Sequence, residues 1–100
     1  MLIHSVYFWF KAEVDTARAA NFEDGLRSLA SIELVRQGYF GRPEATPLRP
    51  VIDKSYDWAL VLHFETLADH DAYQDHPVHL EFLDRFATLW EKVLVYDVRI

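Results

Sequence analysis

Polarity alternates along the first stretch of the chain. From Leu2 to Phe10, Leu2, His4, Val6, Phe8 and Phe10 share one side, and Ile3, Ser5, Tyr7 and Trp9 share the other. That period of two predicts a β-strand, and because both sides are rich in apolar residues, both should be covered. After a short connection the period lengthens. From about Thr16 to Val35, Phe22, Leu26, Leu29 and Ile32 form one stripe while Arg18, Glu23, Asp24 and Arg27 face away, so a helix is predicted with Asp15 as its N-cap. Gly25 inside that helix costs about 1 kcal/mol relative to alanine. It either admits close approach of a neighbour or leaves room for something. Gly38 is a suitable stop. Tyr39 and Phe40 begin a short edge strand, and the stretch from Gly41 to Ser55, with Pro43, Pro47 and Pro50, reads as a long ordered loop or edge hairpin. Tyr56 to Phe64 alternates again as the clearest central strand, with Trp58, Leu60, Leu62 and Phe64 on one face. Thr66 and Asp69 make a capping-box-like start for a short helix ending near Asp75. Pro77 opens a further helix running from His79 to Glu91, and Val93 to Ile100 is the last strand.

The resulting order, β-α-β-β-α-(α)-β, predicts an α+β protein of the ferredoxin-like split β-α-β type, with helices on one face of the sheet. The other face would then present Ser5, Tyr7, Trp9, Ala59, Val61, Leu94 and Tyr96. A contiguous apolar patch of that kind marks an interface. A homodimer packed sheet to sheet is expected.

Composition narrows the possibilities. One hundred residues allow a single domain spanning 1–100, and 51% apolar with 15% aromatic is much greasy surface for a small monomer to hide. The absence of cysteine excludes disulfides and thiolate chemistry. A net charge of −6 and a pI near 5.2 argue against nucleic acid. No run is long enough for a membrane span, and strand-like sequence begins at Leu2 with no signal peptide, so no membrane partner and a cytoplasmic location are expected. There is no phosphate-cradling glycine loop, nucleophile elbow or dinucleotide fingerprint, and no cofactor is expected.

Three segments together are more specific. Ile3-His4-Ser5-Val6, Ser55-Tyr56-Asp57-Trp58-Ala59-Leu60 and Tyr73-Gln74-Asp75-His76-Pro77-Val78-His79, followed by Phe82, resemble the stress-responsive A/B barrel (Dabb) domain. Trp90-Glu91-Lys92-Val93 and Val95-Tyr96-Asp97 strengthen the likeness, which runs from about Ile3 to Asp97. The resemblance implies a dimeric α+β barrel with a cavity between sheet and helices in each protomer. One plant branch of that family comprises cofactor-free polyketide cyclases, and its strand-one histidine, its tyrosine before His-Pro and the histidine after it match His4, Tyr73 and His79. Its first-helix tyrosine falls at Gly25, and its central-strand histidine at Trp58, which implies a reshaped pocket.

The residues themselves allow the same chemistry. His4 on the helix-facing side would be partly buried and neutral, fit to accept a proton from a carbon acid or a phenol. His79, in the first turn of a helix, is disfavoured as imidazolium by the helix dipole. Tyr73 could donate to a developing oxyanion. Val6, Phe8, Phe22, Leu26, Trp58, Leu60, Phe82 and Phe86 would line the cavity. His63 and His70 read as surface or interface residues, Asp57 as a partner for backbone amides, and Arg42 and Arg49 as loop arginines. His76 and His79 share His-x-x-His spacing, but without cysteine or a carboxylate on that face no metal is expected. Three readings stay open: a module binding a small hydrophobic or aromatic molecule, a cofactor-free acid–base enzyme, and a structural dimer with a filled core.

Overall fold

The computed structural model describes residues 1–100. Its elements run β1 (Leu2–Phe10), α1 (Thr16–Ala30), β2 (Gln37–Gly41), β3 (Trp58–Phe64), α2 (Leu67–Gln74), α3 (Pro77–Phe86) and β4 (Trp90–Arg99). The strands form one sheet in the order β2-β3-β1-β4, with every neighbouring pair antiparallel. This is the ferredoxin-like α+β arrangement. All three helices lie on the sheet face that carries Leu2, His4, Val6 and Phe8 from β1 and Trp58, Leu60, Leu62 and Phe64 from β3, all of them buried. No helix is long and apolar enough to cross a membrane.

Local chemistry fixes the element ends. Asp15 accepts from the Arg18 amide at 2.8 Å and caps α1, Thr66 accepts from the Asp69 amide at 3.1 Å and caps α2, and His76 Nδ1 accepts from the Val78 amide at 3.1 Å ahead of Pro77 in α3. Two helices end sooner than the periodicity suggests. α1 stops at Ala30, not Val35, because Ser28 and Ser31 turn their hydroxyls onto the Gly25 and Arg27 carbonyls, and the chain tightens into turns through Ser31–Ser28, Ile32–Leu29 and Val35–Ile32 backbone bonds. Gly38 is therefore no helix stop. It lies within β2, where a Cβ would stand 2.8 Å from the Ala30 Cβ and 3.0 Å from Leu62, so its bareness lets α1 seat against the sheet. α3 stops at Phe86, not Glu91, and β4 begins at Trp90, because Trp90 pairs with Phe10 and packs its indole 5.1 Å from the Phe8 ring. The central strand begins at Trp58, after the Asp57 carboxylate takes the Phe10 amide at 2.7 Å and the Asp57 amide meets the Phe8 carbonyl at 2.8 Å.

Coverage of the sheet is uneven. α1 and α3 press on β1 and β3, where Phe22, Leu26 and Leu29 are sealed. β4 lies at the margin, and Val93 and Val95 stay 42% and 45% exposed although their register with Phe8 and Val6 puts them on the helix side. On the opposite face, Ser5, Tyr7, Trp9, Ala59, Val61, Leu94 and Tyr96 share one surface, and Tyr7, Trp9, Leu94 and Tyr96 join Tyr56 and Asp53 around an open concavity of about 300 Å³.

Candidate functional site

The gap left along β4 is the candidate site. A cavity of about 220 Å³ opens between the inner sheet face and the α2–α3 corner, with walls from Val6, Phe8, Leu29, Leu60, Phe82, Leu83, Trp90, Val93 and Val95 and polar groups from His4, Tyr73, Gln74 and His79. Four of the side chains expected as its lining are there: Val6, Phe8, Leu60 and Phe82. Phe22, Leu26, Trp58 and Phe86 are not. They are buried in the core, where Phe22 meets the rings of Phe8 at 5.0 Å and Phe86 at 5.6 Å, because α1 sits directly on the sheet and leaves no space beneath it.

His4 comes from the inner row of β1 and is 6% exposed. β4 sets Asp97 opposite it, and His4 Nδ1–H donates to the Asp97 carboxylate at 2.6 Å. Burial lowers the His4 pKa from its ordinary 6.5, against the opposing pull of Asp97 and with some help from His70. His79, one turn into α3, donates Nδ1–H to the Gln74 carbonyl at 3.0 Å, a bond made available because α2 has ended and its last carbonyls lack helical partners. Burial likewise holds His79 below 6.5. Both rings are thus neutral with Nε2 as the bare lone pair. Tyr73, 1% exposed, lies between them: its ring centroid is 6.2 Å from that of His4 and 4.8 Å from that of His79. Burial pushes its phenol pKa well above the usual value, so the hydroxyl remains protonated and can donate. Neither Nε2 atom nor the Tyr73 hydroxyl has a hydrogen-bond partner in the protein. No side-chain nitrogen or oxygen sealed from solvent lacks a partner. These three polar atoms therefore reach open space, and their residues line the same cavity.

Two neighbours were not legible as functional. Asp97 is the partner that fixes the His4 tautomer, and the signal for it is a lone acid on the inner row of β4, alternating with Val93 and Val95. His70 is not a surface residue: its side chain is 14% exposed, with its ring centroid 5.0 Å from that of His4, Nδ1–H donating to Asp71 at 3.1 Å and Nε2 accepting from Gln74 at 3.3 Å. It lies one turn before Tyr73 and so shares its side of α2. Donor atoms of His4, His70 and Asp97 all lie within 4.8 Å of one another, which is metal-ligand spacing. Those same groups are already committed to one another and to Asp71 and Gln74, so the network is satisfied as hydrogen bonds. His76 spends both nitrogens elsewhere, on the Val78 amide and on Glu33 at 3.1 Å. Arg42 is stacked over Trp58 at 5.5 Å, away from the cavity.

A four-stranded antiparallel sheet with helices on one face defines a class of fold, and the chain belongs to a family that has it: residues 2–100 match the Stress responsive A/B Barrel Domain (Dabb) family. Olivetolic acid cyclase of Cannabis sativa is 25% identical over 95 residues, covering 94% of this chain and 91% of that protein. A Dabb family protein of Mesorhizobium loti with a ferredoxin-like fold superposes with a TM-score of 0.79 at 28% identity, over 99% of this chain and 95% of that one. A dimeric ferredoxin-like protein of Thermobifida fusca superposes with a TM-score of 0.82 at 22% identity, over 99% and 90% of the two chains.

Proposed function

We propose that this protein is a homodimer whose sheet–helix cavity binds a small hydrophobic or aromatic carbonyl compound and is equipped to move a proton on it without a cofactor. The observation that supports this is the convergence of the His4 and His79 lone pairs and the Tyr73 hydroxyl on an apolar cavity. Apolar walls with a few fixed polar groups are the ordinary form of a small-molecule site. Neutral imidazoles held through Nδ1 keep Nε2 free to take a proton from a carbon acid or phenol, as a general base must. A protonated phenol in a low-dielectric pocket stabilises the oxyanion that such a proton loss creates. The cyclase likeness gives the binding reading a catalytic extension of the same chemistry. Pairing of the two sheets follows from the apolar outer face and from dimeric neighbours such as the Thermobifida fusca protein.

The test is a panel of phenolic and polyketide-like carbonyl compounds, with binding followed by calorimetry and turnover by mass spectrometry. Members of the panel should bind, and His79→Ala should weaken binding and remove any turnover. A general base contributes about 10²–10⁴-fold to rate, so the loss should lie in that range. A panel that does not bind, or a His79→Ala protein indistinguishable from wild type, overturns the proposal.

A further inference from the structure

Phe82 is the one side chain that the cavity shares with a second void beside it. On one side lies the cavity of about 220 Å³ with the polar trio; on the other, between α1 and α3, a groove of about 190 Å³ lined by Gly25, Ser28, Val78, Glu81, Arg85 and Phe86. The ring that divides them is held from several directions. Its centroid is 5.5 Å from that of Phe22, 5.2 Å from Phe86, and 6.1 Å from Trp90, onto which it stacks. It fits because residue 25 has no side chain: a Cβ there would stand 3.0 and 3.1 Å from two Phe82 ring atoms. The bare helix position and the aromatic ring are two halves of one closure.

Size then decides what the cavity can hold. An enclosed space of about 150 Å³ accepts a benzene ring, and a heavy atom such as a water oxygen claims about 30 Å³ of liquid. The cavity therefore takes one ring and about two or three further heavy atoms. We infer that Phe82 closes the α1 end of the cavity and restricts its ligand to a single ring bearing a short substituent. This rests on the binding reading above and adds the residue that sets ligand length. A longer tail must leave through the mouth along Val93 and Val95, where it stays in water and gains no burial.

The experiment measures affinities of 4-alkylacetophenones, from methyl to hexyl, for the wild-type protein, Phe82→Ala, Phe82→Leu and Leu80→Ala, with folding of each checked by near-ultraviolet circular dichroism. Wild-type affinity should be flat from the methyl member on, because the acetyl group already supplies the two or three heavy atoms that fit beside the ring. In Phe82→Ala affinity should rise by about fourfold per added methylene, the value of burying each group. Phe82→Leu should extend the rise by a smaller amount and carries the test if the alanine variant does not fold. Leu80→Ala, on the exposed side of α3 and outside the cavity, should keep the wild-type profile. Parallel profiles for wild type and both Phe82 variants overturn the inference while leaving the binding reading in place, as does an equal extension in Leu80→Ala. Binding of no compound to any of the four proteins overturns the binding reading itself and the inference with it.

Discussion

Replacing Gly25 by alanine sets two known effects against each other, and the structure decides between them. Alanine in place of a helical glycine ordinarily stabilises a protein by about 0.4–1 kcal/mol, largely by restricting the unfolded chain. Gly25 has no need of glycine's backbone freedom, since no residue in the chain adopts a positive φ. Space is the obstacle. The added Cβ would lie 2.5 Å from Phe86 Cε2 and 3.0 Å from Phe82 Cδ2, where carbon atoms prefer about 3.5–4.0 Å. Phe82 has the cavity behind it and can give way, but the Phe86 ring, 4% exposed and packed against both Phe22 and Phe82, cannot retreat by the required ångström without disturbing them. Overpacking of this kind costs about 1–3 kcal/mol. The net expectation is a loss of about 1–2 kcal/mol, which in a domain of this size lowers Tm by about 5–10 °C. Thermal and urea melts at one fixed protein concentration measure it, the concentration being held because the proposed dimerisation would contribute to stability. Phe86→Leu removes the ring atom that the new methyl meets, so in that background the alanine should cost less, and the double-mutant cycle should show favourable coupling. A Gly25→Ala protein at least as stable as wild type would falsify the view that α3 docks on α1 through this bare position.

Burial holds both His4 and His79 below 6.5, so across the window from their lowered values up to 6.5 the unfolded chain binds protons that the folded one does not. Stability should therefore rise with pH through that window and level off above it; urea midpoints that rise on acidification below 6.5 contradict this. His79→Gln should make the slope shallower. Asp97→Asn removes the charge that supports the His4 imidazolium, so the His4 titration should move still lower when followed by ring NMR, and an unmoved titration removes Asp97 from its assigned role. Light scattering should give twice 11.8 kDa for the wild type, and Tyr96→Asp, which adds a charge to the outer face of a chain already at −6, should give the single mass. A wild-type monomer ends the sheet-to-sheet arrangement.

Alternation is strong physics in a sheet buried on one side, which is why β1, β3 and the side assignment of His4 could be read from residue order alone. Helix ends are weaker signals. Nothing in the pattern from Ile32 to Val35 distinguishes a last helical turn from the tightened turns that occur, because Ile32 is buried in either case; the serine hydroxyls at 28 and 31 decide it. Gly38 misleads for a related reason. A glycine after a helix looks like a stop, whereas this one is required by the approach of Ala30 in another element, a contact that periodicity cannot contain. The same limit explains the lining residues. Phe22, Leu26, Trp58 and Phe86 point to the interior, as hydrophobicity demands, but whether an inward side chain meets a void or another side chain depends on how closely two helices approach.

The polar trio shows where the boundary between pattern and packing falls. His4, Tyr73 and His79 come from three elements, and their rings are oriented by contacts that the alternation of polar and apolar residues does not contain. Asp97 enters through the β1–β4 register: a slip by one residue would carry it to the outer face and leave Nδ1 of His4 unsatisfied in a buried place. Gln74 offers its carbonyl to His79 only because α2 stops there and α3 begins at Pro77, so the short break between two helices is what orients the His79 ring. Tyr73 meets the cavity because β4 is not fully roofed. The exposed inner side of β4 and the unpartnered polar atoms are thus one fact: a helix layer drawn far enough over Val93 and Val95 to bury them would also seal the two lone pairs and the phenol, at a desolvation cost of about 1–3 kcal/mol for each group left without a partner. In the proposed dimer, packing of the outer sheet face against a second subunit would keep that apolar surface from water while leaving the inner margin open.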